Sequence, residues 1–170
     1  MDKDRNKIQN HPKWPFRFVP IEEAWKMRVI TISREAALEN RHEVPLSDLF
    51  VMLGGYAFDV DGATVVIRRG FVTDWASVPK RPKFLRKIIV PNSQDIRRAS
   101  VIHDALYNWK KLGWHKANQI LHDIMLEDGA SKTKARLVKF GVETKIGKYH
   151  WDTTTRFDIE NSEFSSIIIH

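Results

Sequence analysis

Between Tyr56 and Ile67 the chain reads Tyr-Ala-Phe-Asp-Val-Asp-Gly-Ala-Thr-Val-Val-Ile. Tyr56, Phe58 and Val60 alternate with other residues, and after Asp61-Gly62 the run from Ala63 to Ile67 is again rich in strand formers. Asp-Gly between two such runs predicts a β-hairpin, because both central residues of a tight two-residue turn need positive φ. Beyond about Gln94 the period changes to a helical one. A first helix is expected from about Gln94 to Leu112, with Ser93 or Asp95 near its start and Gly113 to stop it. A second is expected from about His115 to Asp128, burying Ala117, Ile120, Leu121 and Ile124 and ending at Gly129. A third starts after Ser131 and carries Ala135, Val138, Val142 and Ile146 at helical spacing. The class that follows is α+β: a β-hairpin or small antiparallel sheet packed on a C-terminal bundle of about three helices.

The remaining segments fall around this core, which is expected to span residues 46–150. Residues 1–45 read as an N-terminal arm and accessory elements. Pro12, Pro15 and Pro20 discourage regular structure between the anchoring aromatics Trp14, Phe16 and Phe18. The stretch from Ile21 to Asn40 reads as a helix and a strand or as one broken helix. Residues 70–79 read as a structured loop ending at Pro79. Residues 151–170 form a polar tail, in which Ile167-Ile168-Ile169 either adds a strand or docks on the core.

Composition narrows the chemistry. The chain has no cysteine, which excludes a disulfide framework, a thiolate metal site and a Cys nucleophile, so any metal must rest on His, Asp, Glu or Asn. No apolar run approaches the roughly 18 residues needed to span a bilayer, so no membrane span is expected. The first residues lack the apolar segment of a secretory signal, which points to a cytoplasmic origin. The net charge of +7 is uneven: residues 80–150 hold 16 Lys and Arg against 6 Asp and Glu. That excess suits an anionic polymer or other polyanionic partner, and it equally suits a lysine-rich solvated surface.

The candidate site centres on His103-Asp104-Ala105-Leu106-Tyr107. Four residues apart on a helix, His103 and Tyr107 share a face with Ala99 and Leu106, so His103 points inward while Asp104 borders the core. Asn118 and His122, also four apart, occupy one side of the next helix, and the loop before the first helix supplies Thr73, Asp74 and Ser77. Two readings stay open. His103, Asp104, Asp74 and His122, with Asn118, offer nitrogen and oxygen ligands compatible with zinc or another divalent ion. The same side chains suit a buried hydrogen-bond network, the ordinary fate of a histidine on an apolar face. Asp74 also suits a cap on a helical turn before Trp75.

Gly70-Phe71-Val72-Thr73-Asp74-Trp75-Ala76-Ser77-Val78-Pro79 and His103-Asp104-Ala105-Leu106-Tyr107 together resemble a family of small phage and prophage proteins, the domain-of-unknown-function family 1353. Its pattern is G-F-x-T-D-x-A-S-V-P, then H-D-x-L-Y, then A-D-x-x-F on the following helix. The resemblance spans about residues 54–150. It implies a phage origin, with a location in the host cytoplasm or the virion, and assigns no reaction. Ala117-Asn118-Gln119-Ile120-Leu121 departs from the third motif, with Asn for Asp and Leu for the aromatic. A neutral amide binds metal much less well than a carboxylate, unless His122 substitutes. A five-residue echo, H-D-x-x-Y, is similar to the catalytic helix of secreted phospholipases A2, where the roles implied for His103, Asp104 and Tyr107 are base, calcium ligand and support. The Cys framework and Gly-rich calcium loop of those enzymes have no counterpart here.

Three functions follow as expectations. The first is a metal-assisted or His-based hydrolase acting on cell envelope or nucleotide, with His103, Asp104 and Asp74 catalytic and Thr73, Ser77, Tyr107 and Asn118 supporting. The second is a non-enzymatic phage accessory protein, either a virion or tail component or an inhibitor of a host defence protein, that binds through its basic half. The third is nucleic-acid binding by charge and aromatic rings.

Overall fold

The computed structural model describes residues 17–30, 46–60, 63–74, 94–153 and 165–169. The fold is α+β, with short antiparallel sheets and helices that are mostly C-terminal. The chain divides into two compact units: Met1–Asp74 with Thr155–His170, and Trp75–Thr154. The first carries the strands and the second a run of helices.

The sheet unit opens with β1 (Phe18–Pro20) and α1 (Ile21–Lys26), then a 3-10 turn at Leu46–Asp48 and β2 (Phe50–Met52). The hairpin follows as β3 (Tyr56–Val60) and β4 (Ala63–Ile67), then β5 (Val72–Thr73) and, from the C-terminal end, β6 (Ser165–Ile169). Two antiparallel sheets result, ordered β1-β2-β5 and β3-β4-β6. Val60 faces Ala63 across the hairpin, so the register leaves two residues for the connection; Asp61 and Gly62 themselves lie outside the described residues. Alternation sets the buried face. Tyr56 and Phe58 point inward opposite Ile67 and Val65, while Ala57 between them is exposed. Ile21, Ala24, Ile30, Leu49, Val51 and Val72 form a second apolar cluster where α1 covers β2 and β5.

Two segments expected to be irregular form strands. Phe18–Pro20 pairs with Phe50–Met52, and it tolerates Pro20 because β1 is an edge strand and the proline is its last residue. Val72–Thr73, read from sequence as part of a loop, pairs with Phe50–Val51. Gly70 makes this possible: at φ 94 it adopts a backbone that L side chains rarely take. Its N–H reaches Met52 O at 2.8 Å, and Met52 N–H reaches Phe71 O at 2.9 Å. The Ile-rich tail adds a strand, Ser165–Ile169, beside β4. The expected arm over residues 1–16, and the part of the Ile21–Asn40 stretch beyond residue 30, lie outside the described residues.

The helical unit consists of α2 (Gln94–Trp109), α3 (Trp114–Glu127), α4 (Lys132–Val142) and α5 (Lys145–Asp152). α3 buries Ala117, Ile120, Leu121 and Ile124 as its spacing predicts. α2 stops earlier than expected, because Lys110 takes the left-handed conformation at φ 51, while Gly113 at φ 78 precedes α3 as its N-cap. Gly129, at φ 92, follows α3 as anticipated. The Ser131 hydroxyl caps α4 by accepting from Lys134 N–H at 3.2 Å.

The expected third helix is two helices. Thr144 interrupts it, donating to Gly141 O at 2.9 Å and accepting from Gly147 N–H at 3.3 Å. A Cβ at Gly147 would lie 1.9 Å from Val142 O, so only glycine permits this close junction between α4 and α5. Ile146, placed on the buried stripe by its spacing, is instead 59% exposed.

Arg98 on α2, only 4% exposed, holds the C-terminal end of α3. Its Nε donates to Asp128 Oδ2 at 3.0 Å and its Nη2 to Glu127 Oε2 at 3.0 Å. Lys134 on α4 clasps Asp95 on α2 at 2.7 Å. Burial pushes the Asp128 carboxyl up to about 6 even beside Arg98. Removing one partner of a buried pair leaves a charge without compensation and typically costs about 3 kcal/mol or more. Arg98→Met is therefore expected to lose about that much stability at pH 8, and less at pH 5, where Asp128 takes up a proton and the stranded charge disappears. Urea unfolding at the two pH values checks this; a loss equal at both would contradict it.

Candidate functional site

Two pairs of side chains with helical i, i+4 spacing meet inside the helical unit: His103 and Tyr107 on α2, Trp114 and Asn118 on α3. They form a continuous hydrogen-bond chain. The Trp114 indole N–H donates to Tyr107 Oη at 3.0 Å, and the Tyr107 hydroxyl donates to Asn118 Oδ1 at 2.9 Å. His103 Nε2 lies 2.9 Å from the same Asn118 oxygen. Direction follows from chemistry. An indole N–H only donates and an amide carbonyl only accepts, so Nε2 of His103 must carry the hydrogen. In the neutral ring the lone pair is then on Nδ1, which makes no hydrogen bond among the described residues.

Packing fixes the rings around this chain. His103 and Tyr107 are 4.1 Å apart between centroids, and Trp151 of α5 meets Tyr107 edge-on at 4.9 Å, a favourable aromatic geometry. Asn118 is fully buried and His103 is 8% exposed. Burial holds the imidazole well below its usual range, at about 4, although the bond to Asn118 opposes this. Burial likewise pushes the Tyr107 hydroxyl up to about 12, against the hydrogen bonds from Trp114 and to Asn118 and with a smaller push from the charge of Asp104. Both groups are neutral at pH 7. Asn118 Nδ2 is buried without a hydrogen-bond partner among the described residues.

The remaining residues singled out in the sequence lie in several elements. Asp104 is half-buried beside the network. His122 turns to its own helix, 2.8 Å from Asp123 Oδ1, and takes no part in the hydrogen bonds around Asn118. Thr73 is buried as the last residue of β5, opposite Phe50, with Asp74 half-buried next to it; both belong to the sheet unit. Ser77 lies outside the described residues.

For a divalent cation the network is a poor ligand set. The imidazole Nε2–H and the amide oxygen are bound to each other at a hydrogen-bond distance, and three of the four side chains are neutral donors at pH 7. Among the described residues no three His, Asp or Glu side chains gather as metal ligands would. Sequence reasoning missed Trp114 and Trp151. Trp114 was recoverable, since it precedes Asn118 by four residues as His103 precedes Tyr107, whereas Trp151 comes from a helix whose placement no local spacing shows.

The neutral, Nε2–H form of His103 has a measurable consequence. A histidine whose folded pKa is lowered keeps its stabilising effect above the unfolded value of 6.5 and loses it as pH falls toward about 4. The loss amounts to about 3 kcal/mol over that window. Long-range proton–nitrogen NMR should show an Nε2–H tautomer at pH 7 and a midpoint near 4, moved upward in Asn118→Asp. An imidazolium at pH 6 in the unaltered protein would overturn the assignment.

Comparison with known proteins agrees with the motif reading. No curated protein and no solved structure matches the chain. The family described as Protein of unknown function (DUF1353) matches over residues 52–142, which takes in the hairpin, Thr73 and Asp74, and the whole network from His103 to Asn118. The chain belongs to that family.

Proposed function

We propose that this chain is a non-enzymatic accessory protein of phage origin that engages an anionic partner through its helical unit, with the His103–Asn118–Tyr107–Trp114 network as the brace that keeps the helices in place. One observation carries this reading. Lys132 and Arg136 on α4 and Lys145 on α5 are exposed and form no ion pair among the described residues. Neighbouring cations are engaged: Lys134 by Asp95, Lys148 by Asp152 at 2.5 Å, and Lys139 by Gln119. Between residues 132 and 150 there are six Lys and Arg and a single Glu, a field that attracts polyanions and is screened by salt.

A hydrolase is the second reading, favoured by the lone pair left on His103 Nδ1. A general base works best with a pKa near the working pH, and an imidazole near 4 behind 92% burial is a weak one. The NMR titration separates the two readings, since the hydrolase needs a midpoint near neutrality.

The binding reading predicts that the protein retains labelled heparin at low salt, with affinity falling linearly as the logarithm of salt rises, by analogy with counterion release from nucleic acids. The variant Lys132→Glu/Arg136→Glu/Lys145→Glu should lose at least about tenfold in affinity while keeping its melting temperature within a few degrees. Heparin binding that is unaltered in this variant, or absent at low salt, would refute the assignment.

A further inference from the structure

Exposed apolar side chains are concentrated on the same two helices. Of the four large hydrophobic residues standing well out of the surface among the described residues, three are Phe140, Ile146 and Tyr149, at 72%, 59% and 64% exposure. Two of them, Phe140 and Tyr149, lie at helical spacing from the cations that form no ion pair among the described residues. Lys132, Arg136 and Phe140 follow at i, i+4 and i+8 along α4, and Lys145 and Tyr149 at i and i+4 along α5, so α4 presents two cations and α5 one, each with an aromatic ring on the same face. The Gly147 contact with Val142 O and the Thr144 cap fix the corner between the two helices.

Resting on the reading of the helical unit as a polyanion-binding surface, we propose that the α4–α5 corner binds single-stranded nucleic acid, with bases stacked on Phe140 and Tyr149 and phosphates held by Lys132, Arg136 and Lys145. Charge complementarity and ring exposure select this occupant together. A polyanion without bases would use the cations and leave the rings in water. A duplex keeps its bases stacked on one another, whereas an unpaired base offers a π-face to an exposed ring. An anionic membrane would draw on a broader apolar face than three side chains interspersed with Lys, Arg and His150. Stacking of this kind tolerates any base, so the site reads strand flexibility rather than sequence.

The test is fluorescence anisotropy with the full chain and a labelled oligothymidylate of about 15 nucleotides, alongside labelled heparin, a duplex of equal length and vesicles rich in phosphatidylserine. Phe140→Ala and Tyr149→Ala should each weaken oligothymidylate binding about tenfold, leave heparin binding unchanged, and leave the salt slope unchanged because no phosphate contact is removed. Tyr149→Phe keeps the ring and should bind as the unaltered protein does. Both alanine variants remove exposed rings, so circular dichroism should show the fold retained; if one fails to fold, the other carries the comparison. Heparin binding combined with oligothymidylate binding that neither alanine variant reduces would overturn the stacking site and leave the polyanion reading standing. Stronger binding to duplex or to the vesicles than to oligothymidylate would likewise overturn it, and failure to bind either heparin or oligothymidylate would remove both readings.

Discussion

One carbonyl oxygen organises the helical unit. Asn118 Oδ1 accepts from Tyr107 and from His103, and Tyr107 in turn accepts from Trp114, so a single buried amide joins α2 to α3. In an apolar interior such a bond is strong because its alternative is a donor with no partner. Its geometry also sets protonation. An oxygen that can only accept fixes the hydrogen on Nε2 of His103, and burial removes the ring's charge. Neutrality makes the arrangement consistent, since an imidazolium would need a counter-charge that Asn118 does not supply.

The polar residues of the helical unit then fall into two groups with different work. Arg98, Asp128, Lys134 and Asp95 clasp the start of α2 to the end of α3 and to α4, and the Asn118 network joins the C-terminal half of α2 to the first turns of α3. On α4 and α5, Lys132, Arg136 and Lys145 and the rings of Phe140 and Tyr149 face solvent. The His103–Asn118–Tyr107–Trp114 chain engages its groups with one another, although Asn118 Nδ2 is left buried without a partner among the described residues. The proposed function accordingly gives His103, the histidine most conspicuous in the sequence, an architectural role and places binding on the Lys-rich helices α4 and α5.

Much of the fold was legible because its signals are local. Alternation from Tyr56 to Val60 and the Asp61-Gly62 pair gave the hairpin, and Gly129 and Ser131 marked the break between α3 and α4. Elements that depend on distant partners were not. Val72–Thr73 is a strand only because Gly70 turns it against β2, and Phe18–Pro20 only because β2 offers an edge. The α4–α5 break had a local signal in Thr144 that the continuing period of Ile146 concealed. At the site, spacing brought His103 beside Tyr107 and placed Asn118 on the facing helix, but it could not say whether they shared a metal or a hydrogen. That choice depends on separations between helices, and those place Asn118 Oδ1 at hydrogen-bond distance from both.

The dependence of the helices on that shared oxygen is most directly measured by a double-mutant cycle in equilibrium unfolding with His103→Leu, Asn118→Leu and both together. If His103 and Asn118 serve one another, Asn118→Leu strands the buried His103 N–H while His103→Leu leaves Asn118 Oδ1 with Tyr107 alone, and the double variant loses less than the sum by about 1 to 3 kcal/mol. Losses that add to within about 0.5 kcal/mol would show the two residues to be independent and would contradict the account.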